Sequence, residues 1–397
     1  MTRPAVRFGV DRVARDPDLL PRAARVGLVT NQAARPAGRP ETPSRVALLE
    51  AGVPIVRLFS PEHGLSATGE DGAPMRDADD AVTGLPIVSL YGERFAPPDA
   101  TLADLDLLLF DIPDVGARFY TYAWTLSHVL ESCARTGTPL VVLDRPNPLG
   151  GALASAEGPM LDEASCASFI GRWAIPIRHS LTLGELALHW AMTRVRAAQV
   201  DVITCDGWGR DRQWPSLGVP WIATSPSMPS FGSAILYPGT CLFEATTLSV
   251  GRGTESPFRC VAAPWLDPAA VIAALPPAVT TGVRLHPGRC TPSVAPYRGT
   301  ACAAVQLDAT DPAAVRPVAL GLALLAAVIR HHPRDFAWAP YPTAANPGGG
   351  DHFARLVGQR GIAERLLDTD ARVSSEEIVR WTAVPGWAGA VRDALRY

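Results

Sequence analysis

Four acids, Glu62, Asp111, Asp114 and Asp144, fall at or just beyond the ends of three short apolar runs, 55–59, 107–110 and 140–143. Runs of this kind read as strands buried on both faces of a parallel sheet, and such sheets bind ligands where the strands' carboxyl ends open into a crevice. Acids gathered at one sheet edge can split their pKa values, one staying protonated while another ionises, which is the requirement for acid–base work at neutral pH. Glu62 stands in the tight turn Ser60-Pro61-Glu62-His63-Gly64. There it can aim into the crevice, or it can merely cap the next segment. Asp111 continues an apolar run directly, so it needs a use or a partner such as Arg118 or Arg145. Asp114 follows across Pro113 and either works with Asp111 or N-caps the helix expected after it. His63, beside a turn glycine, reads more readily as scaffold than as a ligand.

The next polar groups support such a site. Asp144 and Arg145 suit a structural ion pair, while Asn147, held between Pro146 and Pro148, suits substrate hydrogen bonding. Arg178-His179 precede a helix start, and Glu244 and Arg252 lie among glycines in the second half. A glycine-flanked guanidinium suits carboxylate recognition, because its fork donates two parallel hydrogen bonds. No Gly-x-Ser-x-Gly elbow and no His-Glu-x-x-His pair occurs, which argues against a serine hydrolase and a zinc protease. The first strand leads into Thr30-Asn31-Gln32 and not a glycine-rich turn, so no dinucleotide is expected. No other cofactor and no metal set is expected either.

Six strands are expected before residue 205: at 26–30, 55–59, 87–90, 107–110, 140–143 and 200–204. Helices are expected over 44–52, from Thr182 with capping-box spacing to Glu185, and over 116–135, where Phe119, Tyr122, Leu126, Val129 and Cys133 form one stripe. That last helix would bring Arg118 and Tyr120 to the crevice beside its positive dipole end. The alternation predicts an α/β fold with a mostly parallel, doubly wound sheet in residues 1–230. Residues 206–240, rich in tryptophan, proline and glycine, read as a loop-rich connection. A smaller α+β domain over 231–397 follows, with helices around 318–329 and 374–395.

Composition removes several classes. The 397 residues carry 36 Lys+Arg against 39 Asp+Glu, a formal net charge of -3 with no basic block, so no nucleic-acid partner is expected. Every one of those bases is arginine, which excludes a Schiff-base or phosphate-loop lysine. Seven scattered cysteines fit a reducing compartment better than a disulfide framework. The N-terminal segment lacks a secretory h-region and no run approaches a membrane span, which predicts a cytoplasmic protein with no membrane partner. Oligomeric state is not legible.

Taken together, Gly27–Gln32, Phe59–Gly64, Ser89–Gly92, Phe110–Ile112, Asp114–Tyr122, Leu143–Pro148, Glu157–Pro159, Tyr237–Thr240 and Gly251–Thr254 resemble the exo-β-N-acetylmuramidase family of glycoside hydrolases. The resemblance spans nearly the whole chain. It implies a Rossmann-like N-terminal domain, a smaller C-terminal domain, a cleft between them, and release of N-acetylmuramic acid from non-reducing ends of peptidoglycan fragments. Glu62 matches the family's glutamate expected to act as general acid/base, with Asp111 or Asp114 as its partner. Asn31, His63, Arg118, Tyr120, Tyr122, Asn147, His179, Glu244 and Arg252 are the expected substrate contacts, Arg118 or Arg252 taking the lactyl carboxylate. Ser66, Pro113 and Ser227 depart from the family pattern, where arginine, glutamine and asparagine are usual. They motivate a rival, a saccharide-binding protein without turnover. A further rival, a metal-dependent phosphoesterase using His63, Asp111 and Asp114, predicts inhibition by a chelator.

Overall fold

The computed structural model describes residues 6–368 and 372–397; Met1–Ala5, part of the segment read for a secretory signal, lie outside the described residues. Seven strands form the large sheet: β1 Val26–Thr30, β2 Ile55–Ser60, β3 Ala78–Asp79, β4 Pro86–Ser89, β5 Leu107–Asp111, β6 Leu140–Leu143 and β7 Val200–Ile203. Their order is β3-β4-β2-β1-β5-β6-β7, and every pairing except β3 with β4 is parallel. Chain connections leave β1 toward β2 on one side and reach β5 on the other, so the topological switch lies between β1 and β5. β3, two residues at the edge, has no signal in the sequence.

Alternation within the strands explains the layering. Leu108 and Phe110 point to one face and Leu107 and Leu109 to the other, and both faces are covered. The first face packs on the helices Tyr122–Thr136 and Leu183–Thr193 and continues without a break into the second half of the chain, through Tyr237, Phe258, Leu322 and Phe353. A shared apolar core therefore fixes the two halves against each other. The second half carries a three-stranded antiparallel sheet, β8 Cys260–Ala263, β9 Val283–Cys290 and β10 Cys302–Ala309, ordered β8-β10-β9, beside the helix Pro317–His331. Among the described residues no helix is long and apolar enough to cross a membrane.

Three expectations are corrected. The helix expected from residue 116 begins at Tyr122, because Gly116 adopts φ +82 and Ala117 and Arg118 pair their backbone with Arg178 and Ile177 instead. Within 206–240, Phe231–Thr240 is a helix despite Pro238 and Gly239. Gly239 is there for contact: a Cβ on it would lie 1.9 Å from the carbonyl oxygen of Pro317 and one on Gly321 would lie 2.6 Å from the Gly239 Cα, so two helices cross at van der Waals range. The terminal stretch is two short helices, Ser375–Thr382 and Trp387–Val391, separated at Pro385-Gly386. The Thr182 capping box forms as expected, Thr182 Oγ1 accepting from the Glu185 amide and Glu185 from that of Thr182.

Candidate active site

β2 delivers Glu62 to its place. After Ser60 the chain turns through Pro61 to Gly64, His63 and Gly64 both in the left-handed region at φ +66 and +69. A non-glycine residue there costs on the order of 1 kcal/mol. His63 is held by its own side chain, whose Nδ1 lies 2.8 Å from the Gly69 carbonyl oxygen and so carries the proton that it donates. Glu62 is buried, with Oε1 accepting from the Gly72 amide at 2.9 Å and Oε2 from the Thr121 hydroxyl at 2.6 Å. Both donors are neutral. Burial, reinforced by the charge of Asp71, pushes the Glu62 carboxyl above the usual glutamate range, while His63, Thr121 and Gly72 pull only partly against it.

Asp71 is the second acid of this site. Oxygen atoms of Glu62 and Asp71 and a ring nitrogen of His63 all lie within 4.8 Å of one another. Asp71 Oδ2 accepts from the Tyr341 hydroxyl and faces Arg252 Nη2 at 3.3 Å. Burial pushes this carboxyl up, but Arg252, His63 and the Tyr341 hydrogen bond outweigh it and hold it below the usual aspartate range. Arg252 also grips Glu244 through Nε and lies 4.9 Å from the Phe258 ring centroid. The three groups come close enough to hold a cation between them. Arg252 already places positive charge on Asp71, however, and burial disfavours the ionised form of Glu62 that a metal needs.

These side chains line a cleft between the two halves of the chain. Tyr91, Phe119, Tyr120 and Phe169 wall it from the N-terminal side; Tyr237, Phe258, Tyr341 and His352 wall it from the C-terminal side. Tyr91, Phe95 and Phe169 pack ring to ring at 4.7 to 5.4 Å, giving a rigid apolar wall of the kind a pyranose face packs against.

The sequence-predicted residues divide sharply. Glu62, His63, Tyr120, Glu244 and Arg252 line the cleft. Asp111 does not: it is fully buried, and Arg145 takes both its oxygens at 2.6 and 3.0 Å. Asp114 is also displaced, accepting from the Gly116 amide and lying 3.6 Å from His179 Nε2, beside a separate hollow walled by Phe8, Trp214 and Trp221 at the β1–β5 switch. Arg118 is fully buried and donates only to the carbonyls of Pro159, Ile175 and Leu356; burial without an acid partner lowers its guanidinium to about 9. It ties the two halves together and cannot reach a substrate carboxylate. Tyr122 donates to the Thr224 carbonyl and accepts from Asn31, whose own oxygen caps the Ala33 and Ala34 amides. Asn147 bonds the Leu181 carbonyl and the Leu149 amide. These, with fully buried His179, are scaffold.

Asp71, Thr121, Tyr91, Phe169, Tyr341 and His352 escaped the sequence reading. Asp71 left a trace, an acid between Gly69 and Gly72 only nine residues beyond Glu62. Tyr341 and His352 left none, because nothing local marks residues that reach a site 270 positions away.

Comparison with known proteins agrees along the whole chain. Residues 26–232 match the family described as exo-beta-N-acetylmuramidase NamZ, N-terminal, and residues 235–383 match its C-terminal counterpart. The peptidoglycan beta-N-acetylmuramidase NamZ of Bacillus subtilis (strain 168) is 36% identical over 337 residues, 84% of this chain and 80% of that protein. Two crystal structures of DUF1343 family proteins from Bacteroides fragilis NCTC 9343 share the fold. One has a TM-score of 0.84 and 27% identity, each chain covered completely, and the other a TM-score of 0.73 and 28% identity over 99% of both.

Proposed function

The chain belongs to the exo-β-N-acetylmuramidase NamZ family, and we propose that Glu62 is its general acid/base and Asp71 the partner carboxylate. The protein is a glycoside hydrolase that releases N-acetylmuramic acid from peptidoglycan fragments. Hydrolysis of a glycosidic bond passes through an oxocarbenium-like state, which needs an acid to protonate the leaving oxygen and a carboxylate to meet the positive charge. The observation that carries the assignment is the pairing of two acids within 4.8 Å in one cleft, Glu62 among neutral donors with its carboxyl shifted up and Asp71 beside Arg252 with its carboxyl shifted down.

Glu62, flanked by the neutral donors Thr121 and Gly72, gives its proton to the leaving oxygen and later recovers one from water. Asp71 faces the anomeric carbon from the other side. A separation of about 5 Å belongs to retaining chemistry, whereas inversion needs about 6.5–9.5 Å to admit a water. Retention is expected, and the first-formed anomer read by proton NMR tests it; inverted product removes the assignment. Retention is common to direct attack by Asp71 and to attack by the sugar's acetamido oxygen oriented by Asp71. A trapped glycosyl-Asp71 in mass spectrometry marks the first route. Arg252 faces Glu244 and Asp71 through Nε and Nη2, so a lactyl carboxylate meets that edge of the cleft only at its remaining nitrogen. A chromogenic N-acetylmuramide, offered to the native protein and to Glu62→Gln, tests turnover against the non-catalytic rival. The seven free thiols support a reducing compartment, and hence a cytoplasmic site of action, which cell fractionation tests.

A further inference from the structure

The loop that carries Asp71 is gripped by the C-terminal half at two adjacent residues. Tyr341 donates its hydroxyl to Asp71, and three residues further on the Ala344 amide donates to the Gly72 carbonyl at 2.8 Å. The Gly72 amide in turn donates to Glu62. The fit is close: a Cβ on Gly72 would lie 2.8 Å from Thr343 Cγ2. The segment 341–349 is itself closed by backbone bonds from Tyr341 to Gly349 and from Thr343 to Asn346, and the Tyr341 ring stacks on His352 at 4.7 Å. One short segment thus touches Asp71 through a side chain and Glu62 through a single intervening residue, Gly72.

We propose that 341–349 is a positioning strap and that Tyr341 is the positioning residue that keeps Asp71 in place opposite Glu62. Rigid orientation of the partner acid is the service rendered, since misplacement of a reacting group by an ångström is enough to cost a large part of the rate. This rests on the reading of Glu62 and Asp71 as the acting pair. The groups facing Asp71 are Arg252 and Glu244 from the β8 side, Glu62 and His63 from the β2 turn, Tyr91 from beyond β4, Tyr341 from the strap and His352 from the helix that follows it. Tyr341 donates to Asp71 through a neutral hydroxyl, which can be removed without changing the charge.

Tyr341→Phe keeps the stack on His352 and deletes the donor. The acidic limb of kcat against pH should move up by about one unit and kcat should fall about tenfold, with KM changed less than about threefold. Tyr341→His, which restores a ring and a donor, should recover part of the shift. Should the phenylalanine variant fail to fold, the histidine variant carries the test by itself, with an acidic limb between the native position and one unit above it. An unmoved acidic limb in a folded Tyr341→Phe, or a loss confined to KM, overturns the proposal. Asp71→Asn separates the two levels: full activity in that variant defeats the underlying reading, whereas its inactivity beside an unmoved Tyr341→Phe profile defeats the strap alone.

Discussion

Two buried acids at the ends of the strands that flank β1, Glu62 after β2 and Asp111 at the end of β5, have opposite fates. Asp111 meets Arg145 in a two-point ion pair, and neither side chain is more than 6% exposed. Glu62 meets a hydroxyl, an amide and a second acid, and it lines a cleft. A guanidinium satisfies a buried carboxylate and ends its chemistry. Neutral donors beside a like charge raise its pKa instead. What makes an acid reactive here is the company it keeps, and burial alone is shared by both.

The largest effect that would break this contrast concerns Glu62. Glu62→Gln should lower kcat on a chromogenic N-acetylmuramide by about 10³-fold, within the range typical for loss of a general acid. It should also melt higher than the native protein at neutral pH. A carboxyl whose pKa is raised on folding contributes fully below its unfolded value and loses that contribution as pH rises through the folded one, so the gap in Tm should close near and below the usual glutamate range.

Asp111→Asn tests the other arm. It leaves Arg145 buried beside a neutral amide and should cost about 3–5 kcal/mol in urea unfolding, with kcat per folded molecule nearly unchanged. A loss of kcat without loss of stability would return Asp111 to the chemistry. The pH profile sharpens the same contrast: the proposed roles require Asp71 ionised and Glu62 protonated. The rate should therefore fall tenfold per unit below an acidic limb that lies under the usual aspartate range. It should fall likewise above a basic limb that lies over the usual glutamate range. The smallest expected effect is at the aromatic wall, where Phe169→Ala should raise KM about fivefold and leave kcat within about twofold.

Much of the frame was readable from the chain. Six of the seven large-sheet strands follow from apolar runs with turn punctuation, and the Thr182 cap follows from its spacing alone. Proline and glycine misled at Phe231–Thr240, where Gly239 serves a helix crossing that exists only once Gly321 is beside it. The stripe from Phe119 misled in the other direction. Apolar spacing could not reveal that Ala117 and Arg118 would give their backbone to residues 177 and 178.

The sequence by itself determined that acids would crowd the ends of buried parallel strands, because period-two apolar runs and their abrupt polar ends are local facts. It marked Glu62 as a candidate for the same reason, as a turn acid set at a strand end. Which acids would react was decided only by the tertiary structure. Arg145 reaches Asp111 across 34 positions, and Tyr341 and Arg252 reach Asp71 across 270 and 181. Charge and hydrogen bonding act through space over a few ångströms, so the pKa of a carboxyl belongs to its neighbours in the fold and not to its neighbours in the chain.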